Sequence, residues 1–389
     1  MSAQLRVGMI GNGFMGAAHS QGWRVAPRFF ELPANPQMAV MVGRDAKKNA
    51  DLAAKWGWED TATDYREVLE RDDIDVVDIV TPGDTHAEIA IAALEAGKHV
   101  LCEKPLANTV DEARRMAEAA AAAKANGVLA MVGFTYRRVP AATFARDLVA
   151  RGALGDIRQV RAQYLQDWLI DAEAPLTWRL KKDQAGSGAL GDIGAHAIDM
   201  AQFITGQRVG SVSGILETFV KERPILGEGQ GLSGTAGSGR GEVTVDDFAA
   251  FTGRFDGGAL GTFEATRFAT GRKNALRVEV AGDKGSILFD MEDMNSLQYY
   301  DATAPSTERG FKRIFVTDAD HPYVGAWWPA GHMLGYEHGF VHQAKDLVEA
   351  IVADEQPTPS FEDGYQVQRV LDSVERSSDN GSAWTSTAA

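Results

Sequence analysis

Short apolar runs alternate with amphipathic segments through about the first 135 residues of the chain. The strands predicted from these runs are Leu5–Ile10, Met38–Val42, Asp75–Val80, His99–Cys102 and Leu129–Gly133. Between them, apolar residues recur at helical spacing in the predicted helices Ala46–Trp56, Asp64–Glu70, Thr85–Ala96 and Thr109–Asn126. Strands that alternate with helices in this way predict an α/β domain built on a doubly wound parallel sheet.

From about residue 137 the pattern changes to alternating apolar and polar residues, which is typical of strands with one buried face. The predicted strands are Ile157–Asp167, Ser211–Thr218, Phe248–Phe255, Ala259–Thr266, Leu276–Ala281, Ser286–Asp290 and Leu297–Tyr300. Such a series predicts an α+β domain with one large, mostly antiparallel open sheet. The glycine-rich segment Gly227–Gly241 is predicted to be a flexible loop, and Tyr336–Val352 a helix. We therefore divide the chain into domains at 1–136 and 137–389.

Composition narrows the classes of function. The 389 residues include 39 Lys or Arg and 54 Asp or Glu, giving a formal charge of −15. Such an acidic chain repels nucleic-acid phosphates and anionic membrane surfaces, so neither is an expected partner. No apolar run is long enough to span a bilayer. The one cysteine, Cys102, excludes an internal disulfide and a multi-cysteine metal site, which fits a cytoplasmic protein.

Three glycines near the start of the chain form a nucleotide-binding motif. Gly11, Gly13 and Gly16 stand in the spacing G-x-G-x-x-G, with Phe14 and Met15 between the last two. The motif follows the first predicted strand directly and opens a helix, which is the context in which it binds a dinucleotide. Glycine permits the tight turn and lets the backbone approach a pyrophosphate at the helix N-terminus. We therefore predict that residues 1–136 bind NAD or NADP.

The end of the second strand usually selects between these two cofactors, because a carboxylate there bonds the ribose 2′-hydroxyl of NAD. In this chain the sequence at that point is Gly43-Arg44-Asp45. If Gly43 occupies the place of the acid, Arg44 is left to meet a 2′-phosphate, which favours NADP. If Asp45 is the acid, displaced by two residues, NAD is favoured. Both interpretations remain open.

Two further clusters carry side chains suited to proton transfer. Glu103-Lys104-Pro105 follows the fourth strand, so Lys104 is expected at the carboxyl edge of the sheet, where it could hold a substrate hydroxyl. Asp192 and His196 are four residues apart in a glycine-rich run and would share one face of a helix. His196 is the natural base near pH 7, and Asp192 could orient it.

Taken together, the motifs resemble the Gfo/Idh/MocA family of sugar and inositol oxidoreductases. The resemblance is carried by Gly11–Gly16, Thr81-Pro82 with His86, Glu103–Pro105 and Gly188–Asp199, in the order of the family and over nearly the whole chain. It implies a Rossmann domain followed by a second domain whose open sheet forms homodimers or homotetramers. It also implies that Lys104, Asp192 and His196 form the catalytic triad of a hydride-transfer reaction.

The resemblance implies further contacts and a class of substrate. The expected cofactor contacts are Gly11, Gly13, Phe14, Met15, Gly16, Gly43, Arg44, Thr81, Pro82, His86, Glu103, Lys104 and Tyr136. The expected substrate contacts are Lys104, Tyr136, Gln166, Asp167, Trp168, Trp178, Arg179, Asp192 and His196. The expected substrate is a cyclic sugar or polyol, such as an anhydrosugar of the levoglucosan type or an aldose, whose secondary hydroxyl is oxidised to a ketone.

Other interpretations remain beside this one. The same chemistry would suit oxidation of myo-inositol at carbon 2. Some members of the family keep NAD bound and hydrolyse glycosides, and the same three residues serve that reaction. A non-catalytic NAD-binding sensor would have no need of Lys104, Asp192 and His196. No metal is expected, because no carboxylate or cysteine is placed by sequence to complete a site with His332, His338 and His342.

Overall fold

The computed structural model describes residues 3–227 and 236–388. The strands are β1 Ala3–Ile10, β2 Ala34–Val42, β3 Asp60–Ala62, β4 Val76–Ile79, β5 His99–Cys102, β6 Ala130–Val132, β7 Ile157–Leu165, β8 Val209–Glu217, β9 Glu222–Leu226, β10 Ala236–Glu242, β11 Phe248–Phe255, β12 Leu260–Thr266, β13 Ala275–Gly282, β14 Gly285–Asp290, β15 Ser296–Asp301, β16 Phe311–Phe315 and β17 Thr385–Ser386. The helices are α1 Phe14–Phe29, α2 Ala46–Trp56, α3 Tyr65–Leu69, α4 His86–Glu95, α5 Val110–Lys124, α6 Pro140–Ala150, α7 Lys182–Ala185, α8 Ala195–Thr205, α9 His338–Ala353 and α10 Phe361–Asp379. A π-helical turn, Leu190–Gly194, precedes α8. Within the described ranges, none of the helices combines the length and the apolar character that a bilayer crossing requires.

These elements form two compact units. Unit 1 comprises residues 1–138, 325–328 and 332–365, and unit 2 comprises residues 139–324, 329–331 and 366–389. Residues 332–365 pack with residues 1–138, whereas the predicted boundary at residue 136 assigns them to the second domain. The functional roles assigned to residues 1–136 and 137–389 stay predictions.

Unit 1 is built on a parallel sheet with the strand order β3-β2-β1-β4-β5-β6, as the alternation of strands and helices predicts. All four residues of β4 are buried, as expected for a strand covered on both faces. Thr109 and Glu112 form a reciprocal capping box, so α5 begins where the sequence predicts. The sequence pattern does not predict β3, because Asp60-Thr61-Ala62 is short and polar at the edge of the sheet and pairs with β2 alone.

Helix α9 completes the core of unit 1 although it is remote in sequence. It lies against α1 so closely that a Cβ atom on Gly22 would be 2.7 Å from the carbonyl oxygen of Phe340. Residues of α9 belong to the same buried cluster as residues of β1 and α1, namely Val341, Ala344, Leu347 and Val348 beside Val7, Met9 and Trp23. The segment 332–365 therefore contributes, through α9, part of the same hydrophobic core as β1 and α1.

Unit 2 is built on a large sheet with the strand order β16-β15-β14-β13-β7-β12-β11-β8-β17. β7 and β12 run parallel, and the other neighbours in the sheet are antiparallel, which confirms the predicted α+β architecture. Helix α8 packs on β7 and β13, and its residues are buried except for Phe203. On the other face of the sheet, Ile215 and Leu260 are about half exposed.

Part of the predicted loop Gly227–Gly241 is a strand. Ala236–Glu242 forms β10, which pairs antiparallel with β9 around an irregularity between Ala236 and Arg240. Arg240 fixes this hairpin, because its guanidinium donates to the carbonyl oxygen of Glu222 at 2.8 Å and lies 3.1 Å from the carboxylate of Glu173. The expectation of a flexible loop is therefore wrong for residues 236–241, and residues 228–235 lie outside the described residues.

The contact between α1 and α9 makes Gly22 sensitive to substitution. We expect Gly22→Ala to destabilise the protein, because an overpacked contact costs about 1–3 kcal/mol while alanine returns about 1 kcal/mol of helix propensity. The melting temperature measured by circular dichroism should fall by a few degrees. Arg24→Ala, on the exposed side of α1, is the control and should stay within about 0.5 kcal/mol of the wild type. Equal stability of the Gly22 variant and the wild type would contradict this close approach.

Candidate active site

The glycine motif forms the turn between β1 and α1. Gly11 has a φ of +114°, and a Cβ atom there would lie 2.8 Å from the carbonyl oxygen of Val80. A Cβ atom on Gly16 would lie 2.9 Å from the carbonyl oxygen of Gly11. Gly13, which precedes α1, has open space around it instead. The first turn of α1 also lacks acidic residues, so its unpaired amides and Gly13 fit the pyrophosphate of a dinucleotide.

The end of β2 carries two asparagines that the sequence analysis did not consider. Asn49 Nδ2 donates to the carbonyl oxygen of Gly43, and Asn12 Nδ2 donates to Asn49 Oδ1, both at 2.5 Å. A side chain on Gly43 would collide with both amides. Asp45 Oδ1 accepts the backbone N–H of Lys48 at 3.0 Å and thereby caps α2, while Arg44 is exposed. Neither carboxylate nor guanidinium is therefore fixed toward a ribose by the protein itself.

His86 supports the loops that follow β4 and β5. It is buried, and its ring nitrogens lie 2.9 Å from the carbonyl oxygen of Thr81 and 3.0 Å from that of Pro105. Lys104, beside Pro105, is half-buried, and Pro82 is exposed. His86 thus connects the loop after β4 with the loop after β5 at the carboxyl edge of the sheet.

His19 is buried between two carboxylates at the same edge. Its Nδ1 lies 2.9 Å from Asp78 Oδ1 and its Nε2 lies 3.0 Å from Glu103 Oε1, while Trp23 Nε1 donates to Asp78 Oδ2 at 2.7 Å. Burial alone would lower the pKa of His19, but the charge of Asp78 and the hydrogen bonds to Asp78 and Glu103 outweigh it and raise the pKa to about 10. The ring is therefore positively charged near pH 7 and compensates both carboxylates.

Aromatic residues surround this edge in unit 1. Tyr136 is buried, with its ring centroid 6.2 Å from that of Tyr336, and Phe14 is exposed and stacks on Tyr336 at 6.5 Å. Met15 packs against the core cluster. Burial, followed by the proximity of Tyr136 and the charge of Glu103, raises the pKa of Tyr336, so its hydroxyl stays protonated. Tyr336 is not among the predicted site residues, because no motif near it in the sequence indicates a site.

In unit 2 two arginines lie close to Asp192. Arg267 Nη2 is 3.1 Å from Asp192 Oδ2 and donates to the carbonyl oxygen of Gly188 at 2.8 Å. The side chain of Arg267 is 1% exposed, which fixes its position. Arg179 stacks 4.4 Å above the ring of Trp178, and burial lowers its pKa while the charge of Asp192 acts in the opposite direction. Arg267 is not among the predicted site residues, although a charged residue directly after the predicted strand Ala259–Thr266 is a signal of a site.

The turn that carries Asp192 is held by a second buried carboxylate. Asp246 accepts the backbone N–H of Gly188 at 2.6 Å and that of Leu190 at 2.7 Å. The backbone of Asp246 lies so close to Gly188 that no side chain fits there. Burial raises the pKa of Asp246, against these two hydrogen bonds. Asp192 itself lies in the π-helical turn, a rare form that often occurs at functional sites.

His196 lies in α8, which continues directly from the π-helical turn. It is buried, and its ring stands edge-on to that of Tyr164 in β7 at a centroid distance of 5.7 Å. Unit 2 therefore positions Asp192 and His196 on one continuous helical segment, and unit 1 positions Lys104 directly after β5.

The polar atoms of three expected substrate contacts, Gln166, Asp167 and Trp168, are engaged in hydrogen bonds within unit 2. Trp168 Nε1 donates to Gln166 Oε1 at 2.9 Å, and Gln166 Nε2 donates to Asn274 Oδ1 at 3.0 Å. Asp167 Oδ2 accepts a hydrogen bond from Lys273 Nζ at 2.7 Å, which holds the pKa of this carboxyl below its usual range. These bonds tie Asp167 and Gln166 to residues 271–274, and the guanidinium of Arg267 lies 5.4 Å from the ring centroid of Trp168.

Among the residues that the structure describes, no three His, Cys, Asp or Glu side chains gather as a metal site would require. His342 is buried, accepts the indole N–H of Trp327 at 2.8 Å and donates from Nδ1 to the carbonyl oxygen of Arg138 at 2.9 Å. His338 bonds the backbone of Gly335. Both histidines thus make bonds that stabilise unit 1.

Two family models match the chain. Residues 5–134 match an oxidoreductase family with an NAD-binding Rossmann fold, and residues 143–288 match the GFO/IDH/MocA C-terminal domain. The levoglucosan dehydrogenase of Pseudarthrobacter phenanthrenivorans is 42% identical over 375 residues, which cover 95% of each chain. The family resemblance predicted from the motifs is confirmed.

Solved structures with the same fold include two that match over nearly their whole length. An oxidoreductase domain protein from Kribbella flavida is 62% identical with a TM-score of 0.95, covering 100% of both chains. A levoglucosan dehydrogenase in complex with NADH and levoglucosan is 41% identical with a TM-score of 0.92, covering 98% of this chain and 99% of that one. The predicted fold class is therefore confirmed, and the family that residues 5–134 match is described as NAD-binding.

The charge of His19 predicts how stability depends on pH. Because the pKa of His19 is raised to about 10 in the folded state, its stabilisation is complete below its unfolded pKa and is lost as the pH rises through 10. The free energy of unfolding by urea should therefore fall by roughly 3–4 kcal/mol between pH 7 and pH 10. His19→Asn should lower stability at pH 7 and flatten this slope.

His342→Asn is the matched control, because burial lowers the pKa of His342 to about 3 and keeps its ring neutral over the same interval. This variant should lose stability without any change of slope. A slope that persists in the His19 variant would contradict the assigned charge.

Proposed function

Because the chain belongs to the Gfo/Idh/MocA family of oxidoreductases, we propose that it is an NAD-dependent sugar dehydrogenase. Its proposed substrate is a cyclic sugar of the levoglucosan type, of which one secondary hydroxyl is oxidised to a ketone. The observation that carries the proposal is the match, over almost the whole of both chains, to levoglucosan dehydrogenase. The homodimer or homotetramer and the cytoplasmic location stay predictions.

The proposed chemistry assigns one step to each residue of the triad. Lys104 donates a hydrogen bond to the substrate oxygen and stabilises the negative charge that develops there. His196 accepts the hydroxyl proton at a ring nitrogen. Asp192, held by Arg267 at 3.1 Å, orients the substrate and the base. The nicotinamide of a bound cofactor supplies the acceptor for the hydride.

NAD is the proposed cofactor, supported by the family match and by the relative that contains NADH. Gly43 lacks the carboxylate that would repel a 2′-phosphate, and Asp45 is engaged in capping α2. A hydrogen bond to a charged group contributes roughly 1.5–3 kcal/mol, so its absence weakens discrimination by roughly 10- to 100-fold. We therefore expect NADP⁺ to be accepted as well, with Arg44 exposed at the same strand end.

A spectrophotometric screen at 340 nm tests the proposal. Purified protein is offered NAD⁺ or NADP⁺ with levoglucosan, glucose, xylose, galactose or myo-inositol. Absorbance should grow with NAD⁺ and levoglucosan or an aldose, and more slowly with NADP⁺. Growth with myo-inositol alone would favour inositol oxidation. Release of sugar from a glycoside without net NADH would favour a hydrolase, and a flat trace from cofactor-binding protein would contradict a dehydrogenase.

Replacement of His196 tests the assignment of the base. We expect His196→Ala to lower kcat by roughly 10²- to 10⁴-fold and to leave the affinity for NADH nearly unchanged, because the lost step is proton transfer. Steady-state kinetics and NADH fluorescence titration measure the two quantities. His332→Ala, at an exposed position, is the control and should keep the wild-type kcat. Near-normal turnover in the His196 variant would exclude His196 as the base.

A further inference from the structure

His19 links the helix of the glycine motif to the loop that carries Lys104. Both of its ring nitrogens lie within 3.0 Å of a carboxylate oxygen, one on Asp78 and one on Glu103. A neutral imidazole has one N–H, so it would turn a lone pair toward one of these oxygens. With both carboxylates ionised, the geometry is satisfied when both nitrogens donate. His19 therefore makes two charge-assisted hydrogen bonds, to residues on neighbouring strands.

Glu103, which is held by His19, in turn accepts a hydrogen bond from the next residue, Lys104. While Glu103 Oε1 is bonded to His19, Glu103 Oε2 accepts the backbone N–H of Lys104 at 3.2 Å. The other side of the carboxylate is closed by Gly133, where a Cβ atom would lie 2.6 Å from Oε1. Glu103 is 4% exposed, so solvent does not replace these contacts. One orientation of the Glu103 carboxylate thus corresponds to one position of the Lys104 backbone.

The two hydrogen bonds of His19 are not equivalent. Asp78 has a second partner, because Trp23 Nε1 donates to its Oδ2 at 2.7 Å. Glu103 Oε1 is held by His19. Loss of the ring would therefore release Glu103 more completely than Asp78. Glu103 is also the residue in contact with Lys104.

We propose that His19 is a positioning residue for Lys104, which it holds in place through the carboxylate of Glu103. It touches neither substrate nor cofactor and takes no part in proton transfer to either. His19 lies in α1, which begins at the glycine motif. The hydrogen bond from His19 to Glu103 therefore also fixes Lys104 relative to α1, the helix proposed to bind the cofactor. The inference rests on the proposed function in that Lys104 is taken to hold the substrate oxygen.

Two substitutions of His19 separate this role from a purely structural one. Asparagine places its amide nitrogen near the position of Nδ1 and keeps the bond to Asp78, whereas glutamine places it near Nε2 and keeps the bond to Glu103. Both remove the positive charge, so both should lower the melting temperature to a similar extent. The proposal expects them to differ in turnover.

In His19→Asn, kcat on the substrate identified by the screen should fall by about 10- to 100-fold, because displacement of a catalytic group by about 1 Å has an effect of this size. His19→Gln should recover most of the wild-type kcat. The dissociation constant of NADH, measured by fluorescence, should stay close to the wild-type value in both. Equal losses of kcat in the two variants, or wild-type kcat in both, would overturn the proposal.

Crystal structures of the two variants give a readout that needs no substrate. The Glu103 carboxylate and the backbone of residue 104 should shift in His19→Asn and stay in place in His19→Gln. If the wild type oxidises no sugar, the proposed function fails, while the structures still decide whether His19 positions Lys104. His342→Asn, with a buried histidine of the same unit, should lower stability and leave both kcat and residue 104 unchanged.

Discussion

The buried carboxylate of Asp78 is the constraint around which unit 1 is organised. It lies in β4 with no solvent exposure, where an ionised group without partners would cost several kcal/mol. Its partners, His19 and Trp23, both come from α1 and are four residues apart, so they share one face of that helix. This fixes the rotation of α1 on the sheet and, with it, the place of Gly13 at the helix N-terminus. The parallel arrangement then places the ends of β4 and β5 side by side, within reach of one imidazole ring.

Unit 2 likewise depends on buried charged side chains, here one guanidinium and one carboxylate. Arg267 and Asp246 are both buried, and together they bond the backbone of residues 188–190 and the side chain of Asp192. A π-helical turn forms fewer regular hydrogen bonds than an α-helix, so it depends on such supports from outside. Rigid placement of Asp192 therefore comes from residues that lie more than 50 positions later in the chain.

The sequence predicts those parts of the molecule that depend on local patterns. The inner strands of the parallel sheet are mostly apolar, the capping box of Thr109 and Glu112 marks the start of α5, and the glycine motif is identified by spacing and context. Tyr336, Arg267 and Asp246 escaped prediction because their significance arises from contacts between distant segments. β10 also escaped prediction, because a glycine-rich segment is typical of a loop and its pairing with β9 is not visible in the sequence. The proposed roles of Lys104, Asp192 and His196 as a triad rest on the resemblance to a family, because the local sequence pattern does not show that these three residues act together.

The return of residues 332–365 to unit 1 has a consequence for the order in which the protein can fold during translation. The parallel sheet is synthesised first, yet the apolar wall formed by Val341, Leu347 and Val348 leaves the ribosome only after residues 139–324. Unit 2 is likewise incomplete until β17 and the end of α10 have been synthesised, because both belong to its last segment. Neither unit can close on its own while the chain is growing, so a fragment that ends at residue 138 would expose part of its core. The core of unit 1 therefore becomes complete only once α9 has been synthesised, and the large sheet of unit 2 only once β17 has been.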